Sequence, residues 1–136
     1  MDCCTVPATH AGLQTLISFT ENQLDLFSIR GETRQSILII LEELAVNIVN
    51  YAYGDTPGEI EMTLGLSEDK TTLRLTLSDS GTPFNPLAKS DPDLSLSSEE
   101  RPIGGLGIFM AKSLADTFEY DYRNQQNWIL IEKRLK

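Results

Sequence analysis

The chain has 136 residues, 40% hydrophobic and 23% charged, enough apolar content for one packed domain and too much for a disordered chain. Its 20 acidic and 11 basic residues give a formal net charge of -9, which disfavours charge-driven binding to nucleic acid or anionic membrane. A phosphorylated ligand still fits if backbone N–H groups and a divalent cation meet it.

The opening MDCCTVPATH lacks the basic and apolar regions of a signal peptide, and no apolar run approaches a membrane span. Cys3 and Cys4 are adjacent, a spacing that suits neither an internal staple nor a metal site. A reducing, cytoplasmic setting is therefore expected.

Residues 9–26 read as an amphipathic helix, with Leu13, Leu16, Ile17, Thr20 and Leu24 on one face and Thr9 as its cap. FSIRGE breaks the pattern. Residues 33–52 carry the clearest helical stripe, Ile37, Leu41, Leu44, Ile48 and Tyr51, and YGDTPGE stops it. Two alternating segments follow, EIEMTLGL and TTLRLTLSD, which predict strands joined by a turn at EDK. Residues 80–102 are loop-like, rich in Gly, Pro, Ser and Asp, and a loop of that length inside a compact domain is usually functional or mobile. GGLGIFMAKSLADTF opens a helix from glycines, and EYDYRNQ with NWILIEKRL predicts a closing hairpin. The order is roughly (β)ααββ, long loop, αββ. It predicts a single α+β domain, a two-layer sandwich and not a doubly wound sheet.

Three groups of residues carry chemistry. Glu43 and Asn47, four apart, share a helix face where a carboxylate and an amide oxygen can hold hydrated Mg²⁺ or position a hydroxyl; a solvated polar face opposite Leu41, Leu44 and Ile48 is the plainer alternative. Asp79-Ser80-Gly81 ends an apolar strand, where the carboxylate can accept from an exocyclic amine and Gly81 lets backbone approach a flat ring; an ordinary turn has the same composition. Gly104-Gly105-Leu106-Gly107 opens a helix, whose free amides and dipole make an anion site, or else serves as a hinge. It lacks the GK[ST] ending of a P-loop and follows loop, not strand, which argues against a dinucleotide fingerprint. Arg101 is equally a phosphate donor or a surface arginine beside Glu99 and Glu100. His10, the one histidine, reads as incidental, and Trp128 as packing.

Taken in order, EELAVN on a helix, DSGTPF at a strand end and GGLGIF after a long loop resemble the N, G1 and G2 boxes of the GHKL ATPase superfamily. The resemblance covers nearly the whole chain, and LEELAVNIVNYAYGD looks closest to the anti-sigma-factor serine/threonine kinases. It implies a Bergerat ATP-binding fold over residues 1–136: a mixed, mostly antiparallel sheet covered on one face by helices, with an ATP lid at about 82–103. It implies ATP or ADP with Mg²⁺ as cofactors. By the same resemblance Asn47 is the Mg²⁺ ligand, Glu43 the general base, and Asn50 lies near the phosphates. Asp79 reads the adenine amine, Gly81 sits beneath the ring, and the amides of Gly105, Leu106 and Gly107 meet the phosphates. Arg101 is the nearest candidate for a lid arginine, since the position two before Gly105 is Ile103. Where the family often has a small or hydroxyl residue on the last strand, this chain has Asn127 and Trp128. The implied partners are a small antagonist (STAS-like) protein phosphorylated on serine or threonine and a sigma factor, with a homodimer also suggested. A nucleotide-held switch that binds its partner without phosphoryl transfer is the rival reading.

Overall fold

The computed structural model describes residues 2–88 and 105–135. Its elements run β1 (Asp2–Pro7), α1 (His10–Leu26), α2 (Gly31–Asn47), β2 (Glu59–Leu66), β3 (Thr72–Asp79), α3 (Gly105–Leu114), β4 (Thr117–Arg123) and β5 (Gln126–Arg134). The strands form one five-stranded sheet in the order β1-β2-β3-β5-β4. All four pairings are antiparallel, so the mixed sheet implied by the resemblance narrows to an antiparallel one.

Strand alternation puts Ile60, Met62, Leu64, Leu73, Leu75, Leu77, Ile129 and Ile131 into one core, with Leu16, Leu24, Ile40, Leu41 and Leu44 from the helices above them. The opposite sheet face carries polar pairs, including Arg74 with Glu132. This is the expected two-layer α+β sandwich.

Thr9 caps α1 as its sequence predicts: its hydroxyl accepts from the Gly12 N–H at 3.0 Å. The turn between β2 and β3 is held by Asp69. Donors on Ser67 and Thr71 bond its carboxylate and keep its pKa down at about 2.

Three boundaries differ from expectation. Helix α2 begins at Gly31, not at residue 33, and gives way after Asn47 to a π-helical turn, Ile48–Ala52. That wider turn offsets the stripe: Ile48 is buried, but Tyr51, expected as its last member, is 53% exposed. Helix α3 ends at Leu114 and Thr117–Phe118 belong to β4, so the expected helix over 104–118 is too long. Contacts distant in sequence end it: Lys133 Nζ donates to the Leu114 carbonyl at 2.6 Å, and Asp116 accepts from the Arg134 N–H at 2.6 Å. Finally, Gly31–Ala52 is long and apolar enough, by length and composition, to cross a membrane, contrary to the expectation that no run approaches that length. Core helices share this property, and here Ile37, Ile40, Leu41, Leu44, Ala45 and Ile48 are buried against the sheet.

Candidate functional site

A chiefly apolar slot lies where the end of α2 faces the ends of β3 and β5. It contains about 380 Å³ of empty space counted to its open mouth. Leu44, Ile48, Ala52 and Ile129 form its greasy walls, with Phe84 and Pro86 beside them. Its polar lining residues include Asn47 from α2, Asp79 from β3 and Asn127 from β5, with Tyr51 and Thr82 beside them.

Asp79 ends β3 and is 5% exposed. Its Oδ1 accepts two hydrogen bonds, from the Gly81 N–H and from Asn127 Nδ2, both at 2.9 Å. Burial raises its pKa above the usual aspartate value, and the bonds from Asn127 and Gly81 counter part of that rise. Gly81 follows because the chain must pass close to the π-helical turn. A Cβ on Gly81 would sit 2.6 Å from the carbonyl carbon and the Cβ of Ala52, and nearer still to its oxygen. The Thr82 N–H then donates to that same carbonyl at 2.7 Å. Tyr53 braces the corner from outside, its hydroxyl donating to the Glu59 carbonyl at 2.6 Å and accepting from the Ser80 N–H at 2.8 Å.

Asn47 is half-buried, and its side chain makes no hydrogen bond among the described residues. Glu43, one turn earlier, is half-buried and points elsewhere: it does not line the slot. Its carboxylate lies against the first turn of α3, where a Cβ on Gly107 would fall on Oε2 and 3.1 Å from Cδ. Glycine at 107 therefore leaves room for the carboxylate beside the helix start. Among the described residues no group of three His, Cys, Asp or Glu gathers to hold a metal. A hard cation here would take Asn47 Oδ1 plus oxygens of a ligand and water, the way Mg²⁺ is bound when substrate phosphates complete its shell.

The sequence-picked residues are thus only partly brought together. Asp79 and Asn47 line the slot, Gly81 packs behind its wall on the backbone of Ala52 and does not line it, and Glu43 meets Gly107 one turn away. Asn50 is exposed and outside the lining, because the π-helical turn carries Tyr51 there instead. Gly105 begins α3 as its glycine run predicts. Arg101 and most of the expected lid, residues 89–103, lie outside the described residues. Sequence reasoning undervalued Asn127. Its signal was its phase: it shares the inward face of β5 with Ile129 and Ile131, so a polar residue there is buried and must be partnered.

A helical layer on an antiparallel five-stranded sheet, in this order of elements, is a fold of the GHKL ATPase type. The chain belongs to the histidine kinase-like ATPase domain family, whose model matches residues 6–133. It is similar to the serine-protein kinase RsbW of Bacillus cereus (strain AH187), with 34% identity over 89 residues, 62% of this chain and 54% of that protein. RsbW of Bacillus mycoides (strain KBAB4) matches over the same shares at 33%. The chain thus spans about half the length of the curated relatives it matches. Among solved structures, the RsbU and RsbW domains of Rv1364c from Mycobacterium tuberculosis align with 99% of this chain and 33% of that one, at TM-score 0.66 and 17% identity. The SiaB-SiaC complex from Pseudomonas aeruginosa aligns with 99% and 90%, at TM-score 0.62 and 14% identity. At such identities these structures attest the fold alone.

Proposed function

We propose that the chain is a single-domain ATP-binding regulatory protein of the anti-sigma-factor kinase type, acting in the cytoplasm. In this reading it phosphorylates a serine or threonine of a small antagonist (STAS-like) protein in a partner-switching pathway, and also binds a sigma factor. The observation that carries it is the convergence of Asp79 and Asn47, 32 residues apart, on one apolar slot. Asp79 would accept from the adenine amine, with Gly81 giving the ring close backbone approach. Asn47 would be the protein ligand of Mg²⁺ on the phosphates of ATP or ADP. The amides of Gly105, Leu106 and Gly107 would meet those phosphates, and residues 82–103, with Arg101 among them, would form the lid. Bound Mg²⁺ would neutralise phosphate charge, which is most of what phosphoryl transfer asks of a protein. Glu43 would orient or deprotonate the acceptor hydroxyl. Similarity to serine-protein kinases named RsbW supports this reading over a purely structural role.

A second reading is favoured by one observation: Glu43 does not line the slot but rests on Gly107. The nucleotide would then hold a partner-binding form without transfer. Calorimetry with ADP and Mg²⁺ tests the shared part. No binding, or binding untouched by Asp79→Asn, would sink both. Phosphorylation of the cognate antagonist by Glu43→Ala separates them: an unchanged rate removes the base, and an abolished rate with intact ADP binding supports the kinase.

A further inference from the structure

Asn127 is 3% exposed and occupies the middle of a closed hydrogen-bond node. Its Nδ2 donates to Asp79 Oδ1 at 2.9 Å and to the Thr82 carbonyl at 3.0 Å. Its Oδ1 accepts from the Phe84 N–H at 3.1 Å and from the Tyr120 hydroxyl at 2.5 Å. A primary amide has two N–H donors and two acceptor lone pairs, so all four are engaged. The orientation of the amide is also fixed by chemistry. Rotated by half a turn, its oxygen would face a carboxylate and a carbonyl, and its N–H₂ would face the Phe84 N–H.

Because it has no hydrogen-bonding capacity left, Asn127 can influence a ligand only through the groups it holds. The one with chemistry to offer is Asp79. Its Oδ1 already accepts from Gly81 and Asn127, while Oδ2 has no hydrogen-bond partner among the described residues. We propose that Asn127, steadied by Tyr120, is the positioning residue of this pocket. It keeps Asp79 an oriented, acceptor-only carboxylate with Oδ2 left for the ligand, so that the pocket selects a base bearing an amino group over one bearing a carbonyl at the same place.

This rests on the nucleotide reading above and adds to it the residue that sets base selectivity. Removing the Asn127 donor leaves Asp79 one N–H bond to oppose the effect of burial, which raises its pKa. The protonated carboxyl can donate to a carbonyl, so the selection erodes as pH falls toward a raised pKa.

The test compares ADP with inosine diphosphate, which carries a carbonyl and an N1–H where ADP carries an amine and a bare N1. Affinities are measured by calorimetry across pH for the full chain, Asn127→Leu and Tyr120→Phe. The wild type is expected to prefer ADP. Asn127→Leu should narrow that preference about tenfold, the scale of one hydrogen bond to a charged group. Tyr120→Phe should narrow it about threefold, as a neutral bond one step removed. In both variants the pH at which ADP binding is half lost should rise. A merely structural role would weaken both ligands equally and leave that pH in place.

Asn127→Leu decides if it folds, and Tyr120→Phe decides if it does not. An unchanged preference and pH midpoint in the deciding variant overturns the role of Asn127 while the nucleotide reading stands. A wild type that binds neither ligand overturns both, and one that binds both equally overturns the selectivity.

Discussion

One methyl group, added at either of two glycines, should act with opposite sign. At Gly81 a new Cβ meets backbone: the carbonyl of Ala52, already bonded to the Thr82 N–H, and the Ala52 Cβ at 2.6 Å. Backbone cannot step aside without moving the π-helical turn or the end of β3. Overpacking of that kind costs about 1–3 kcal/mol. The loss of chain freedom in the unfolded state returns roughly 0.4–1 kcal/mol, because Gly81 has no left-handed φ to strain an alanine. Gly81→Ala should therefore destabilise by about 1–2 kcal/mol and lower Tm by roughly 3–8 °C for a domain of this size. At Gly107 the added Cβ meets only the far end of the Glu43 side chain, which can swing away. Residue 107 lies inside α3, where alanine is favoured over glycine by up to about 1 kcal/mol. Gly107→Ala should keep or raise Tm while evicting the carboxylate. If Glu43 is a general base, transfer should fall on the order of 10²-fold or more. Thermal unfolding followed by circular dichroism, beside a phosphorylation assay, reads both. A Gly81→Ala protein as stable as wild type would refute the steric reasoning. So would a Gly107→Ala protein destabilised to the same degree.

Three further outcomes follow from single contacts. Burial raises the Asp79 pKa in the folded state, so the folded chain holds the proton to higher pH than the unfolded chain, and this contribution to stability falls as pH rises from about 3.9 through the folded value. Asp79→Asn should thus gain stability over wild type at pH 7 and lose that advantage near pH 3.5 in urea titrations, while losing ADP binding at any pH. Thr9→Ala removes the acceptor for the Gly12 N–H and should cost about 1 kcal/mol in the same titrations. Lys133→Met leaves the last carbonyl of α3 without its donor, and should cost about 1 kcal/mol and speed hydrogen exchange at the end of α3.

The elements that alternate or repeat cleanly were legible because their pattern is local. Ile60-Met62-Leu64 and Leu73-Leu75-Leu77 face one core, and Thr9 caps the helix it precedes. Boundaries set by partners far along the chain were not legible. Nothing near Leu114 announces that Lys133, 19 residues on, will take its carbonyl. Nor does IVNYA look different from a continuing α-helix, yet its π-helical turn puts Tyr51 in the slot lining and leaves Asn50 exposed. The site shows the same division. Asp79 and Gly81 could be picked out as a strand-end pair, but the reason Gly81 must be glycine is Ala52, which only the fold brings near. The four-way engagement of Asn127 draws on Asp79, Thr82 and Phe84 from one stretch and Tyr120 from another, and no local spacing encodes it.

The two ends of the site are built differently, and the difference bears on the choice between kinase and switch. At the Asp79 end the groups are held before any ligand arrives: Oδ1 is doubly bonded, Asn127 is saturated, and Tyr53 ties Ser80 to Glu59. Such preorganisation favours binding, because little ordering remains to oppose it. At the Asn47–Glu43 end, Asn47 has no hydrogen-bond partner among the described residues and Glu43 rests on the start of α3, not on the slot. A base placed there reaches an acceptor only if the acceptor enters between α2 and the first turn of α3. Substrate access from that side is thus the condition for transfer. A bulky, uncharged replacement, Met110→Trp, at an exposed position on α3 three residues on from Gly107, should block phosphorylation of the antagonist while leaving ADP affinity within about twofold. Equal loss of both would place the acceptor elsewhere, and loss of neither would leave the nucleotide as a switch.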